Sequence, residues 1–203
     1  MSKINIIVPV YNVEKYLDEF FESIEKQVFN DFTLIVVDDC STDNSPTIIA
    51  RHKEKMGSQM IEVKTSLNSK LYGSRNAGLD CSEQYPSEFT IFLDSDDIID
   101  KTFLSSLYDR AVEDEADITI CGMQRFEDET NKIICTEMVN FPKHPVENLS
   151  SFDDFAFINT SVCNKLFRSE KIKGIRFREA MRSEDTLFFN GSPAFSEMRN
   201  IYK

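Results

Sequence analysis

The stretch FLDSDDIID, residues 92–100, sets four aspartates within seven positions: Asp94, Asp96, Asp97 and Asp100. They follow the apolar run Phe89-Thr90-Ile91-Phe92-Leu93, whose aromatic and β-branched content is that of a buried strand. Carboxylates a few ångströms apart repel, so a strand ending this way calls for a positive partner. Alternate residues at a strand end share a face, which aims Asp94 and Asp96 at one point. Hard oxygen ligands in a crowded negative field suit Mg²⁺ or Mn²⁺, held by carboxylates while a substrate's phosphates complete the shell. Asp94, Asp96 and Asp97 are therefore the expected metal ligands. Asp100 and Thr102 read as the start of the next helix, where acids are favoured by the dipole.

Other uses of these acids fail on detail. An EF-hand loop begun at Asp94 needs glycine sixth and glutamate twelfth, but Ile99 and Ser105 stand there. In a phosphorylated receiver the acid pair of VVDDCS would follow the first strand, and here it follows the second. A phosphatase with an aspartate nucleophile would carry its DxD on an early strand, yet three strands precede this one. No GxxxxGK occurs, which excludes a P-loop.

The elements that must position these acids alternate over the first 120 residues. Strands are expected at Ile4 to Val10, Thr33 to Val37, Met60 to Val63, Phe89 to Leu93 and Ile118 to Cys121. Between them lie four helices. The first is capped by Asn12 and buries Val13, Tyr16, Leu17, Phe20, Phe21, Ile24 and Val28. Ser45-Pro46 reads as cap and first-turn proline of the second. Ser74 to Cys81 is the third, and Thr102 caps the fourth. This alternation implies a three-layer α/β sandwich with a mostly parallel central sheet flanked by helices. Ligands of such sheets bind beyond the carboxyl ends of the strands. Tyr11-Asn12, Asp38-Asp39 and the aspartate run all fall on that rim. Residues 122 to 149 read as hairpin and loop, with short helices at Phe152 to Ile158 and Glu184 to Asn190. The chain reads as one domain, 1–203.

With 203 residues, 41% hydrophobic and 29% charged, the chain has the composition of a soluble globular domain. No apolar run is long enough to span a membrane, and MSKINIIVPVYN turns polar too early for a signal peptide. Five widely spaced cysteines without a CxxC fit free thiols in a reducing cytosol. The net charge of −12 argues against nucleic acid as a partner. From Lys165 to Arg182, however, seven Lys or Arg stand against two Glu. That run is either a solvated basic face or a patch that meets phosphate.

IIVPVYN, VVDDCSTDNS, GSRNAGL, FLDSDD and SEDTLF, in this order and spacing, resemble the family 2 glycosyltransferases of the GT-A, Rossmann-like fold. The likeness runs from about residue 4 to 190. It implies transfer of a sugar from a nucleotide-diphosphate donor, usually a UDP-sugar, to an acceptor hydroxyl, with inversion at the anomeric carbon. It implies that Asp39 hydrogen-bonds the base, that Pro9 and Tyr11 line the base and ribose pocket with Asn12 beside them, and that Arg75 reaches the nucleotide. Asp94, Ser95 and Asp96 form the DxD that holds ribose and metal, and Asp185 is the catalytic base. Without the resemblance Glu184 and Asp185 are equal choices. Residues 1–121 form the nucleotide-sugar half and 122–203 the acceptor half, which takes a carbohydrate or lipid-linked saccharide. The implied setting is surface polysaccharide assembly in the cytoplasm, at the inner face of the membrane.

Two features depart from the family. Lys70 stands where a glycine is common, which alters the loop over the nucleotide or adds a phosphate contact. The chain also ends eighteen residues after Asp185, where relatives continue. The acceptor half is thus expected to be truncated, and any peripheral membrane association to lie in the missing segment.

The chemistry agrees with the resemblance. Displacement at an anomeric carbon builds oxocarbenium-like charge on the sugar. The leaving diphosphate gains negative charge that a divalent ion stabilises without proton transfer. The acceptor hydroxyl needs a carboxylate within hydrogen-bond reach. PVYNVEKY has no glycine-rich loop, which disfavours a sugar-nucleotide pyrophosphorylase. A catalytically inactive sugar-nucleotide-binding module remains the non-enzymatic alternative. His52 is expected on a helix surface and His144 in an incidental loop; the seventeen phenylalanines read mostly as core, with a wall of the acceptor cavity as the alternative for Phe188 and Phe189.

Overall fold

The computed structural model describes residues 2–128, 130, 132–137, 160–179, 185, 188 and 201–202. The expected helices at 152–158 and 184–190 lie wholly or largely outside them, as do His144 and Phe189. Among the described residues, nine strands and five α-helices occur. In chain order they are β1 (Ile4–Val10), α1 (Glu14–Glu25), β2 (Phe32–Asp38), α2 (Ser45–Met56), β3 (Met60–Lys64), α3 (Lys70–Ser82), β4 (Phe89–Phe92) and α4 (Phe103–Glu113). There follow β5 (Ile118–Ile120), β6 (Met123–Phe126), β7 (Ile133–Glu137), β8 (Lys165–Arg168), α5 (Ser169–Ile172) and β9 (Ile201–Tyr202).

Seven strands form one sheet in the order β3-β2-β1-β4-β8-β5-β9. β1 to β4 run parallel to one another, as the strand-helix alternation predicts. β8 is antiparallel to both β4 and β5. β6 and β7 make the expected hairpin. Successive side chains of a strand point to opposite faces. So Ile4, Ile6, Val8 and Val10 of β1 meet Leu17, Phe20, Phe21 and Ile24 of α1 on one face. Ile7, with Ile35, Val37 and Phe92, meets Leu79 of α3 on the other. The layers are helix, sheet, helix. No helix among the described residues is long and apolar enough to cross a membrane.

Several local expectations need correction. Asn12 does not cap α1: Val13 occupies that position, and the Asp43 carboxylate accepts the Glu14 N–H at 2.9 Å. Glu14 in turn accepts the Asn44 N–H at 2.7 Å, so the starts of α1 and α2 satisfy one another. Ser45 is the first residue of α2, and its hydroxyl accepts the Val13 N–H. α1 stops at Glu25, which leaves Val28 exposed. His52 is buried, stacked on Phe21 and held between Glu25 at 2.8 Å and Asp18 at 2.9 Å.

The basic run is not one surface patch. Lys165 is buried in β8, where its ammonium donates to the Ser161 carbonyl and the Asn164 side chain. Burial lowers its pKa to about 7. Arg168 and Lys171 pair with Asp117, and Arg176 pairs with Asp80 and Glu83.

Candidate active site

The carboxyl ends of β1, β2 and β4 open on two adjoining clefts. The smaller, about 350 Å³, is lined by Pro9, Tyr11, Asp39, Ser74 and Ser95 among others. The larger, about 830 Å³, is lined by Arg75, Asp97, Cys163 and Asp185 with the β6–β7 hairpin. Leu71, Asp94 and Asp96 line both, so the D-x-D sits at their junction. Asn12 lines neither of these two. It adopts a left-handed φ of 52°, and its side-chain oxygen accepts the Thr42 N–H at 2.8 Å.

Asp39 follows β2, where its N–H donates to the Val10 carbonyl at 2.9 Å. Its carboxylate accepts the Ser69 N–H and the Thr65 and Ser69 hydroxyls, at 2.7–2.9 Å. Burial would raise its pKa, but the Ser69 amide and the two hydroxyls outweigh burial and hold it below the ordinary range. Asp39 is an anion with one wall on the smaller cleft.

Ser69 and Arg75 are fixed by how α3 sits, and two glycines determine that. A Cβ on Gly78 would meet Ile7 Cγ2 at 2.3 Å, so only glycine lets α3 lie this close to β1. A Cβ on Gly73 would meet Ser69 Cβ at 2.5 Å and push away the residue that grips Asp39. Lys70, where the family favours glycine, has a left-handed φ of 60°. Its side chain pairs with Glu179 at 2.7 Å on the surface.

Arg75 is carried inward by α3, and its guanidinium is 1% exposed. It donates to Asp94 Oδ1 at 2.9 Å and to Asp185 Oδ1. It also lies 5.2 Å from the Phe177 ring and 3.8 Å from Cys163 Sγ. Burial opposes its charge, but Asp94 and Asp185 more than offset that and raise its pKa. One buried cation thus joins the D-x-D to the expected base. It is the positive partner that the aspartate run calls for.

Asp185 is held at its second oxygen by the Val162 N–H at 3.2 Å. One turn later Phe188 is buried against Phe92 and stacks on Phe177 with centroids 4.1 Å apart. Phe188 is therefore a core residue near Asp185, as its aromatic character predicts, and is not among the residues lining the larger cleft.

The carboxylates fit a divalent ion. Ligand atoms of Asp94, Asp97 and Cys163 lie within 4.8 Å of one another, and Asp96 stands exposed at the cleft junction. Burial, then the Asp94 and Asp96 charges, push the Asp97 carboxyl up to about 6. A cation there would relieve that repulsion. Burial, reinforced by Asp94, pushes the Cys163 thiol well above its ordinary range in the metal-free state.

Sequence reasoning missed Cys163, the Val162 amide and the Thr65–Ser69 cradle. Cys163 and Val162 arrive because β8 runs antiparallel to β4, which brings the segment before it to the rim where β4 ends. No local pattern announces that. For Ser69 there was a signal, Gly73 four residues on.

The comparisons with known proteins agree with this architecture. The glycosyl transferase family 2 model matches residues 5–176. The chain is 33% identical over 194 residues to the poly(ribitol-phosphate) β-N-acetylglucosaminyltransferase TarS of Staphylococcus aureus, covering 93% of this chain and 32% of TarS. The solved structure of S. aureus TarS 1–349 with UDP-GlcNAc superposes with a TM-score of 0.79 at 28% identity, over 98% of this chain and 55% of that one. A mannosyltransferase of Pyrobaculum calidifontis, solved with GDP-Man and Mn²⁺, shares the fold at a TM-score of 0.69 and 14% identity, over all of this chain and 54% of its own. The chain spans between 18% and 62% of the curated relatives it matches. With a GT-A fold and a family model that takes in most of its length, the chain belongs to glycosyl transferase family 2.

Proposed function

We propose that the chain transfers a sugar from a UDP-sugar to an acceptor hydroxyl with inversion at the anomeric carbon. The observation that carries this reading is the Arg75 bridge, which holds Asp94 of the D-x-D and Asp185 on one guanidinium where two clefts meet. The smaller cleft takes the nucleotide, with Asp39 accepting an N–H of the base and Tyr11 at the rim. The sugar lies at the junction. The acceptor enters the larger cleft, formed by the half beyond residue 121, and Asp185 takes the proton of its hydroxyl. A base on the side opposite the leaving diphosphate fits a single inverting displacement. Asp94, Asp96 and Asp97 would hold Mg²⁺ or Mn²⁺, which would supply charge stabilisation to the leaving diphosphate. The TarS complex with UDP-GlcNAc supports a UDP-sugar donor, and the relatives' names support a setting in surface polymer assembly.

The test is a panel of nucleotide sugars scored by thermal shift with and without Mn²⁺, followed by UDP release. A true donor at a hundred times its Kd adds about 2.7 kcal/mol of stability. Asp185→Asn should lower transfer by about 10²–10⁴-fold while donor binding stays near normal, because a general base contributes that much and makes no donor contact. A panel in which no nucleotide sugar stabilises the protein would sink the proposal.

A further inference from the structure

We infer that the larger cleft takes an uncharged saccharide as acceptor and turns away phosphate-linked polymers. The inference rests on the transferase reading above and adds the chemical class of the acceptor. Among the described residues, seven carboxylates line this cleft against two cationic side chains, Arg75 and Arg125. Both cations are committed to carboxylates: Arg75 to Asp94 and Asp185, Arg125 to Glu137 at 2.7 Å. Asp128, on the hairpin side, is paired with Lys15 of α1. Glu19 and Asp96 remain exposed on the wall, and the half-buried Asp97 lines it as well.

Ionised carboxylates only accept hydrogen bonds, and so do the oxygens of a phosphodiester. A phosphate polymer entering here would set acceptor against acceptor and charge against like charge, which opposes its binding. Sugar hydroxyls are donors and fit. Donor loading leaves the balance alone, since a divalent ion's charge is matched by that of the diphosphate.

The cleft also has apolar surface. Exposed large hydrophobic side chains gather on the same wall: Ile98 is 50% exposed, Phe126 41% and Ile134 68%. A pyranose ring presents C–H groups on its face and hydroxyls at its edge. An aromatic and aliphatic strip beside a row of carboxylates matches both surfaces of such a ring.

The experiment measures UDP release by the 203-residue chain with the donor found by thermal shift. Neutral oligosaccharides of glucose, galactose, mannose and N-acetylglucosamine are compared with poly(ribitol phosphate), the polymer in the TarS relative's name. At least one neutral saccharide should raise release about tenfold or more above poly(ribitol phosphate), a difference of about 1.4 kcal/mol. Glu19→Lys, an exposed change on α1, should narrow that gap at low salt and not at high salt, because screening removes the effect. Poly(ribitol phosphate) matching the best neutral acceptor overturns the inference, and so does failure of every neutral saccharide while the donor is bound and the protein folded. If no donor binds, the transferase reading itself has failed.

Discussion

Replacing Arg75 by methionine tests the bridge that organises this site. Methionine keeps an unbranched stem to lie along Phe177, so the change removes mainly the charge and its two-pronged geometry. Asp94 and Asp185 then face each other uncompensated, beside Asp96 and Asp97. Deleting one partner of a fully buried pair costs about 3–5 kcal/mol. Here the carboxylate side chains are 37% and 21% exposed, so water recovers part of that. The expected loss is about 2–3 kcal/mol once that screening is allowed for. In a chain of this size each kcal/mol moves the midpoint by roughly 2–4 °C, which gives a fall of about 4–12 °C by circular dichroism in metal-free buffer. Mn²⁺ should stabilise the variant more than the parent, since the ion replaces missing charge. Arg75→Lys should recover much of the stability yet transfer poorly, because an ammonium cannot grip both carboxylates in one plane. A midpoint for Arg75→Met within about 1 °C of the parent would refute the bridge as a source of stability, as that is below the smallest shift expected.

Asp97 carries a pH signature. Its folded pKa is raised to about 6, so the metal-free folded state holds a proton that the unfolded chain has released. Its stabilising contribution is present below the ordinary carboxylate range and is lost as pH rises through about 6. Asp97→Asn should therefore gain about 1–2 kcal/mol near pH 7.5 by urea unfolding, with the gain vanishing toward pH 4. Lys70→Gly should be more stable than Lys70→Ala by about 1 kcal/mol, because alanine keeps the left-handed strain that glycine lacks; equal midpoints would place no strain there. Gly78→Ala should cost about 1–3 kcal/mol through the clash with Ile7, and transfer should fall with it because α3 carries Arg75. An alanine variant with parental stability would mean that α3 has slack against the sheet.

Much of the fold was legible because the buried strands announce themselves. Ile4–Val10 and Phe32–Asp38 are dense in β-branched residues, and α1 repeats its apolar residues at helical spacing. β8 was not legible. It is four residues long, begins with a lysine and lies in a basic run. Lys165 tolerates burial only because the Ser161 carbonyl and the Asn164 side chain receive its ammonium, an arrangement made by folding and not by pattern. His52 misled for the same reason, since its partners Asp18 and Glu25 lie 34 and 27 residues away in sequence. At the site, the acids expected from the D-x-D and from SEDTLF do come together around one cleft. The link between them was read differently: Arg75 was expected at the nucleotide, and its guanidinium is engaged with Asp94 and Asp185.

The place of β8 bears on how the chain reaches this state. β1, β2 and β3 pair across fewer than thirty residues, whereas β4 joins β1 across 85, from Phe89 back to Ile4. The gap between β4 and β5 is filled only by a strand far downstream, as the Thr90 to Ser169 hydrogen bond, spanning 79 residues, illustrates. Closing so long a loop before any contact repays it is slow. Until β8 docks, β4 and β5 each present an open apolar edge of the kind that pairs with other chains. During synthesis the nascent chain passes through that state for the whole interval between Ile120 and Arg168. The antiparallel insertion that delivers Val162 and Cys163 to the rim therefore leaves the β4 and β5 edges open through this interval, an aggregation-prone stage of folding.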